Sequence, residues 1–171
     1  MAIRNILTSE NDALLKKSRP VTDFNDRLHI LLDDLKETLS TQQGVGLAAP
    51  QVGVLRRAVV VLETNVPEGE DEYMIELVNP VIIESEGIQE GAEGCLSVPG
   101  EFGIVKRPEH VKVRAQDRDG NFFEVEGDGL TARCFCHEID HLDGILFTTL
   151  ATHMLTEEEL AAASEKKEEA E

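Results

Sequence analysis

Leucines at positions 28, 31, 32, 35 and 39 follow the i, i+3, i+4, i+7 spacing of an amphipathic helix, which predicts a helix over about Asn25 to Thr41 with that stripe in the core. A shorter helix is expected over Asn11 to Lys17, ending before Pro20, and Gly44-Val45-Gly46 breaks the longer one into a loop. The middle of the chain reads as β: short apolar runs at Ala58–Leu62 and Tyr73–Val78, the second closed by Asn79-Pro80, with Val81–Glu84 extending the sheet beyond it. His110–Gln116 alternates, with Val111, Val113 and Ala115 on one face, and Asp119-Gly120 supplies a hairpin turn into Phe122–Val125. Gly127-Asp128-Gly129 ends the sheet. Asp128 or Thr131 is then positioned to cap a helix running to about Asp143, with Gly144 as its stop. Thr156-Glu157-Glu158-Glu159 has the capping-box pattern and opens a last helix, acidic over about 157–171 and expected to fray beyond Ala163. With no repeat or linker, residues 1–171 are expected to form one α+β domain with mostly antiparallel sheets.

Composition narrows the functional classes. Acidic residues outnumber basic ones 34 to 16, for a net charge of -18. Such a surface repels phosphate backbones, and no run of basic residues offsets it, so DNA is not an expected partner. No apolar run reaches the roughly 18 residues of a membrane helix, and Met1–Asn5 lacks a signal-like apolar segment, which together predict a cytoplasmic protein without membrane partners. The odd count of three cysteines argues against a disulfide scaffold. Nothing in the pattern calls for a partner chain, so a monomer is expected.

Three segments carry chemistry. In His137-Glu138-Ile139-Asp140-His141 the two histidines stand four apart, on one face of a helix, where both imidazoles can reach one metal ion. Glu138 beside them can take a proton from water held there. A catalytic ion needs a third protein ligand and an open position. Cys95, in the glycine-rich stretch Glu93–Gly100, reads equally as that ligand on an irregular loop or as a small buried hydrophobe. In Gly44-Val45-Gly46-Leu47-Ala48-Ala49-Pro50-Gln51 the small residues allow close backbone approach, and the Gln51 amide can donate to a developing oxyanion. The residues alone leave two other readings open. One is a zinc metallopeptidase completed by a downstream carboxylate from Glu157, Glu158 or Glu159; the other is a non-catalytic Cys/His metal-binding domain.

Together the three segments resemble the peptide deformylase family, whose signatures Gly-x-Gly-x-Ala-Ala-x-Gln, Glu-Gly-Cys-x-Ser and His-Glu-x-x-His occur here complete and in order. The likeness covers about residues 3 to 150 and includes Arg107-Pro108, Arg114–Asp117 and His141–Phe147. The resemblance implies antiparallel sheets packed around a central helix bearing the two histidines. It also implies an enzyme that hydrolyses the N-formyl group from the formyl-methionine of nascent polypeptides and releases formate. By position, Cys95, His137 and His141 match the metal ligands and Glu138 the general base. Gln51 and the backbone N–H of Leu96 match the oxyanion donors. Val45 and Gly46 match the substrate-binding segment; Val45, Leu130, Cys134 and the His137 ring would line the methionine pocket. Glu93 and Arg107 match a pair that braces the cysteine loop.

The cofactor implied is one divalent ion, Fe²⁺ in the cell, with Zn²⁺, Ni²⁺ or Co²⁺ able to replace it. Two departures from the family pattern bear on these expectations. Cys136 stands where the family usually has Gln, which alters hydrogen bonding beside His137 and places a second oxidisable thiol next to a ligand. The acidic C-terminal helix is ill-suited to ribosomal RNA, so transient ribosome contact through it is not favoured.

Overall fold

The computed structural model describes the backbone of residues 2–170 and the side chains of residues 2–164. Its elements in chain order are α1 (Asp26–Ser40), β1 (Gly46–Ala48), β2 (Ala58–Glu63), β3 (Tyr73–Glu86), β4 (Gln89–Cys95), β5 (Val98–Arg107), β6 (His110–Gln116), β7 (Phe122–Asp128), α2 (Leu130–Leu142), β8 (His153–Met154) and α3 (Glu157–Ala170). The strands form two antiparallel sheets, one ordered β1-β2-β3-β6-β7 and one ordered β4-β5-β8, so the class is α+β as expected.

The first helix forms where the leucine stripe placed it. Asn25 caps it by accepting a hydrogen bond from the Leu28 N–H at 3.2 Å, and all five leucines are buried. They pack with Ala58, Val60 and Val78 on one face of the larger sheet. Val59, Val61, Leu77, Val111, Val113 and Ala115 point to the other face, where they meet Ala132, Phe135 and Ile139 of α2. Strand β2 thus has helices on both sides, which explains why its sequence is a continuous apolar run rather than an alternation.

Four local expectations need correction. The early helix shrinks to a single 3₁₀ turn at Asp12–Leu15, since so short a segment gains little helical hydrogen bonding before Pro20. Asn79-Pro80 does not close a strand: β3 runs through it, with a register shift between Val78 and Val81. The bulge accommodates a residue without an N–H, and the Asn79 side chain, at φ 50°, bonds both backbone groups of Val21. Neither Asp128 nor Thr131 caps α2. Gly129 occupies the N-cap without a side-chain bond, while Asp128 pairs with His110 and Thr131 donates to Glu63.

The fourth correction concerns the glycine-rich stretch around Cys95, which is the β4–β5 hairpin and not an irregular loop. Its glycines hide the strand signal but have a packing reason: a Cβ on Gly94 would stand 2.5 Å from the Phe102 ring across the hairpin. The capping box of α3 is present as read, with Thr156 and Glu159 exchanging backbone–side-chain bonds of 3.2 Å each. The fraying expected past Ala163 falls mostly on residues whose side chains lie outside the described set.

Candidate metal centre

Helix α2 positions two of the three chemical groups by its period alone. His137 and His141, one turn apart, direct their Nε2 atoms to within 3.2 Å of each other. The tip of the β4–β5 hairpin brings the Cys95 Sγ to 3.3 Å from the His141 Nε2. The three ligand atoms lie within 4.8 Å of one another, and among the described residues no other His, Cys, Asp or Glu joins them. The carboxylates of Glu157 and Glu158 are therefore not ligands, and that of Glu159 is bonded to His153 at 2.8 Å.

The donor set suits a divalent transition ion. A thiol sulfur and two imidazole nitrogens converge on one point, and a borderline-soft ion accepts that combination. The His137 Nδ1 lies 2.7 Å from the Glu93 Oε2, an arrangement that places the proton on Nδ1 and directs the Nε2 lone pair inward. Burial pushes the His141 imidazole down to about 3, helped by the charge on His137, so it stays unprotonated as a ligand must. The surroundings also draw positive charge. Although burial acts against it, the neighbouring Glu138, Cys95 and Glu93 raise His137 to about 10, so without an ion its Nε2 holds a proton that a bound metal would displace.

Beneath the ligands is a charged clamp that the sequence only half disclosed. Burial would raise the Glu93 carboxyl, yet its bonds from His137 and Arg107 hold it at about 2. Arg107 grips Glu93 with Nε at 3.0 Å and Nη2 at 2.7 Å, and reaches Asp140 with Nη1 at 2.6 Å. Arg133 adds a third bond system, donating from Nη1 to Glu93 Oε1 and to the Val105 carbonyl, both at 3.0 Å. Two arginines and two carboxylates leave the buried cluster with no net charge, the condition under which burying them is tolerable. Arg133 precedes His137 by four residues, so the two grasp one carboxylate from the same helix face. That spacing was available in the sequence, although the partner strand was not.

Glu138 faces a cleft of about 520 Å³, lined also by Val45, Gly46, Leu96, Leu130, Cys134 and Gln51. Burial pushes its carboxyl up to about 7, against the positive charge of His137, and its Oε1 is buried with no hydrogen-bond partner. Its Oε2 occupies the space a side chain at position 46 would take: a Cβ there would stand 2.5 Å from Oε2 and 2.7 Å from the Cys134 Sγ. Gly46→Ala should therefore displace the carboxylate. A fall in kcat of at least about tenfold is expected, the cost of roughly 1.4 kcal/mol in transition-state stabilisation, with the bound metal unchanged. Unaltered kinetics in Gly46→Ala would show that this carboxylate has room to spare.

Gln51 is held from both ends of its amide. Its Oε1 accepts from the Ala48 N–H at 2.9 Å, which fixes its Nε2 toward Ser97 Oγ at 3.1 Å and Cys95 Sγ at 3.6 Å. Ser97, the serine of the Glu-Gly-Cys-x-Ser signature, is fully buried, and its bond from Gln51 was not read from the sequence. Cys136 requires a correction. Its thiol is buried against the sheet in the main core, outside both the cleft and the ligand cluster, and burial pushes it up to about 11. It is a core filler, and the second reactive thiol expected beside the ligands is absent.

Comparison with known proteins agrees with this geometry. The sequence profile of one family, Polypeptide deformylase, matches residues 3–156. The chain is 54% identical over 160 residues to a peptide deformylase of Caldicellulosiruptor bescii, covering 94% of this chain and 92% of the relative. It resembles the crystal structure of a peptide deformylase from Legionella pneumophila with a TM-score of 0.80 and 42% identity, over 98% of this chain and 95% of that one. A class I type b peptide deformylase from Acinetobacter baumannii, solved with Met-Ala-Ser bound, matches with a TM-score of 0.79 and 35% identity over 86% of this chain and 98% of that one. With three ligand atoms converging below a buried glutamate, and with matches spanning nearly the whole of both partners, the chain belongs to the polypeptide deformylase family.

Proposed function

We propose that this chain removes the formyl group from N-formyl-methionyl nascent polypeptides, with Cys95, His137 and His141 holding the ion, Glu138 moving the proton, and Gln51 with the Leu96 N–H receiving the oxyanion. The observation that carries the assignment is the placement of a buried, unpartnered carboxylate oxygen of Glu138 in the cleft beside the three converging ligand atoms. A divalent ion there would lower the pKa of a water toward about 7 and polarise the formyl carbonyl.

Glu138 takes the proton from the attacking water and passes it to the nitrogen of the breaking C–N bond, so formate and a free methionyl amine leave. A carboxyl displaced toward neutrality by burial suits both halves of that transfer. The long Gln51 N–H···S contact at 3.6 Å is the weaker of its two, and that N–H is the one free to turn to the substrate oxygen. Anchoring of the amide by Ala48 and Ser97 keeps the donor aimed before charge develops.

Methionine would lie against Val45, Gly46, Leu130 and Cys134, while the small formyl group sits at the ligands. The peptide beyond it is read through its backbone. Strand β1 has a neighbour on one side only, as does β4, and Gly46, Ala92 and Gly94 of these edges border the cleft. A substrate strand adding there bonds through main-chain groups and is blind to side chains, which suits an enzyme for many nascent chains. The A. baumannii relative holding Met-Ala-Ser is consistent with such a ligand.

The proposal extends to a single catalytic domain, a monomer working in the cytoplasm, and Fe²⁺ as the native ion. No helix among the described residues is long and apolar enough to cross a membrane. The decisive experiment is to assay formyl-Met-Ala-Ser hydrolysis by anaerobically purified protein alongside its metal content; an inactive protein carrying a full metal equivalent would refute the function. Loading apo-protein with Fe²⁺, Ni²⁺, Co²⁺ or Zn²⁺ then addresses the ion. The Fe²⁺ form is expected to be fastest and to decay in air, through the iron and then the Cys95 thiolate, while the Ni²⁺ and Co²⁺ forms persist. Equal air stability of the iron and nickel forms would refute this ranking.

A further inference from the structure

A second cavity, about 950 Å³, lies away from the catalytic cleft and shares no lining residue with it. Four arginines line it, Arg4, Arg19, Arg27 and Arg56, with Asp23 as its one carboxylate side chain. They come from four separate stretches: the N-terminal segment, the segment before α1, α1 itself and the turn before β2. Arg19 and Arg56 stand opposite each other across an isolated parallel bridge, secured by the Arg19 N–H to the Leu55 carbonyl at 3.1 Å and the Arg57 N–H to the Arg19 carbonyl at 3.0 Å. Like charges opposed in this way repel unless an anion shares them.

Unpaired cations are concentrated at this groove. The chain has 34 acidic residues against 16 basic ones. Elsewhere among the described residues Lys36, Arg57, Arg107, Lys112, Arg118 and Arg133 pair with carboxylates, whereas Lys106 and Arg114 do not. Among the described residues Arg19, Arg27 and Arg56 have no carboxylate within 4.0 Å, although acidic side chains are twice as numerous; Arg4 pairs with Asp34 at 2.9 Å, and Arg56 Nη1 donates to the Leu55 carbonyl at 3.1 Å. Lys16 and Lys17, next along the chain from Arg19, are exposed and also unpaired.

We propose that this groove is a docking site for the phosphate backbone of a single RNA strand. Guanidinium forks match phosphate oxygens two at a time, and several of them along one groove match a ligand whose anions repeat along a chain. RNA is the polyanion that accompanies nascent peptides, so this choice rests on the function proposed above. The acidic remainder of the surface does not abolish binding; it confines and orients it, because repulsion everywhere else leaves one face to approach. The acidic C-terminal helix then has no part in the contact.

The test measures anisotropy of a short fluorescein-labelled single-stranded RNA with metal-loaded full chain, between about 50 and about 200 mM KCl. Three phosphates engaged by Arg19, Arg27 and Arg56 predict a slope of log K against log salt of about -2, at about -0.7 for each. Arg19→Glu, Arg27→Glu and Arg56→Glu combined should weaken binding at least about tenfold and leave formyl-Met-Ala-Ser hydrolysis unchanged. Lys106→Glu, which alters an unpaired cation outside the groove, should leave RNA binding unchanged. Should the triple charge reversal cost hydrolysis through misfolding, the corresponding Gln substitutions give the same comparison. No binding by the wild-type chain at low salt, equal binding by the triple variant, or a matching loss in Lys106→Glu would overturn the proposal. So would anionic phospholipid vesicles or inorganic phosphate binding at this groove where RNA does not. Hydrolysis is read separately, so failure of RNA binding leaves the catalytic assignment standing.

Discussion

Cys95→Ala is expected to purify without a full metal equivalent and to lose hydrolysis by more than about 10³-fold, because chemistry that depends on bringing water from a pKa of 15.7 to about 7 departs with the ion. The variant should still fold. Cys95 is only partly buried, at the tip of the β4–β5 hairpin, and contributes a small contact to the minor cluster of Val98, Val105 and Phe147. Its loss removes one atom from a site that relaxes, a cost of about 1 kcal/mol. Circular dichroism and thermal unfolding of the metal-free forms should therefore nearly coincide with wild type, while metal analysis and turnover differ sharply. No carboxylate among the described residues stands close enough to replace the thiol. A Cys95→Ala protein that kept both its metal and its rate would end the assignment of this ligand.

Glu138→Gln should keep the metal and lower kcat by about 10²–10⁴-fold, the range that proton transfer by a positioned group supplies. That corresponds to roughly 3–5 kcal/mol of transition-state stabilisation. The replacement has nearly the same shape, so the crowding against Gly46 and Cys134 is preserved. It is also neutral, and a neutral amide at a buried site is no more costly to desolvate than a carboxylate. Folding stability should hold, and KM should change little, since the lost interaction belongs to the transition state. Measuring kcat, KM and metal content together separates this from a structural role: if activity falls only in proportion to metal lost, Glu138 moves no proton.

Legibility followed the range of the interactions involved. The leucine stripe of α1 and the Thr156–Glu159 capping box are patterns in which partners sit within a few residues, and each stands where it was read. Strand β6 was likewise legible because one face is buried and the other is not. The β4–β5 hairpin was illegible because Gly91, Gly94, Gly100 and Gly103 erase the β-branched signature, and only pairing across the hairpin makes it a strand. The continuity of β3 through Pro80 depended on Val21 and Gln116, far off in sequence, satisfying Asn79.

The catalytic site divides on the same line. One turn of helix sets the spacing of His137 and His141 and puts Glu138 beside them, so the amino-acid order by itself determined two candidate ligands, a candidate base and, through three ordered motifs, the family. Cys95 remained ambiguous in that reading because its approach to 3.3 Å of His141 is made by a hairpin, not by a period. Tertiary structure alone decided the addition of Arg133 to the Arg107 clamp on Glu93, the anchoring of Gln51 by Ser97, and the burial of Cys136 away from the candidate ligands. It also decided the charge distribution. A net charge is a sum over residues and is fixed by composition, whereas the potential at a point falls with distance and depends on where each charge is folded to. Arg4, Arg19, Arg27 and Arg56 are scattered through the first third of an acidic chain, and only the packing of α1 against β1 and β2 draws them around one groove.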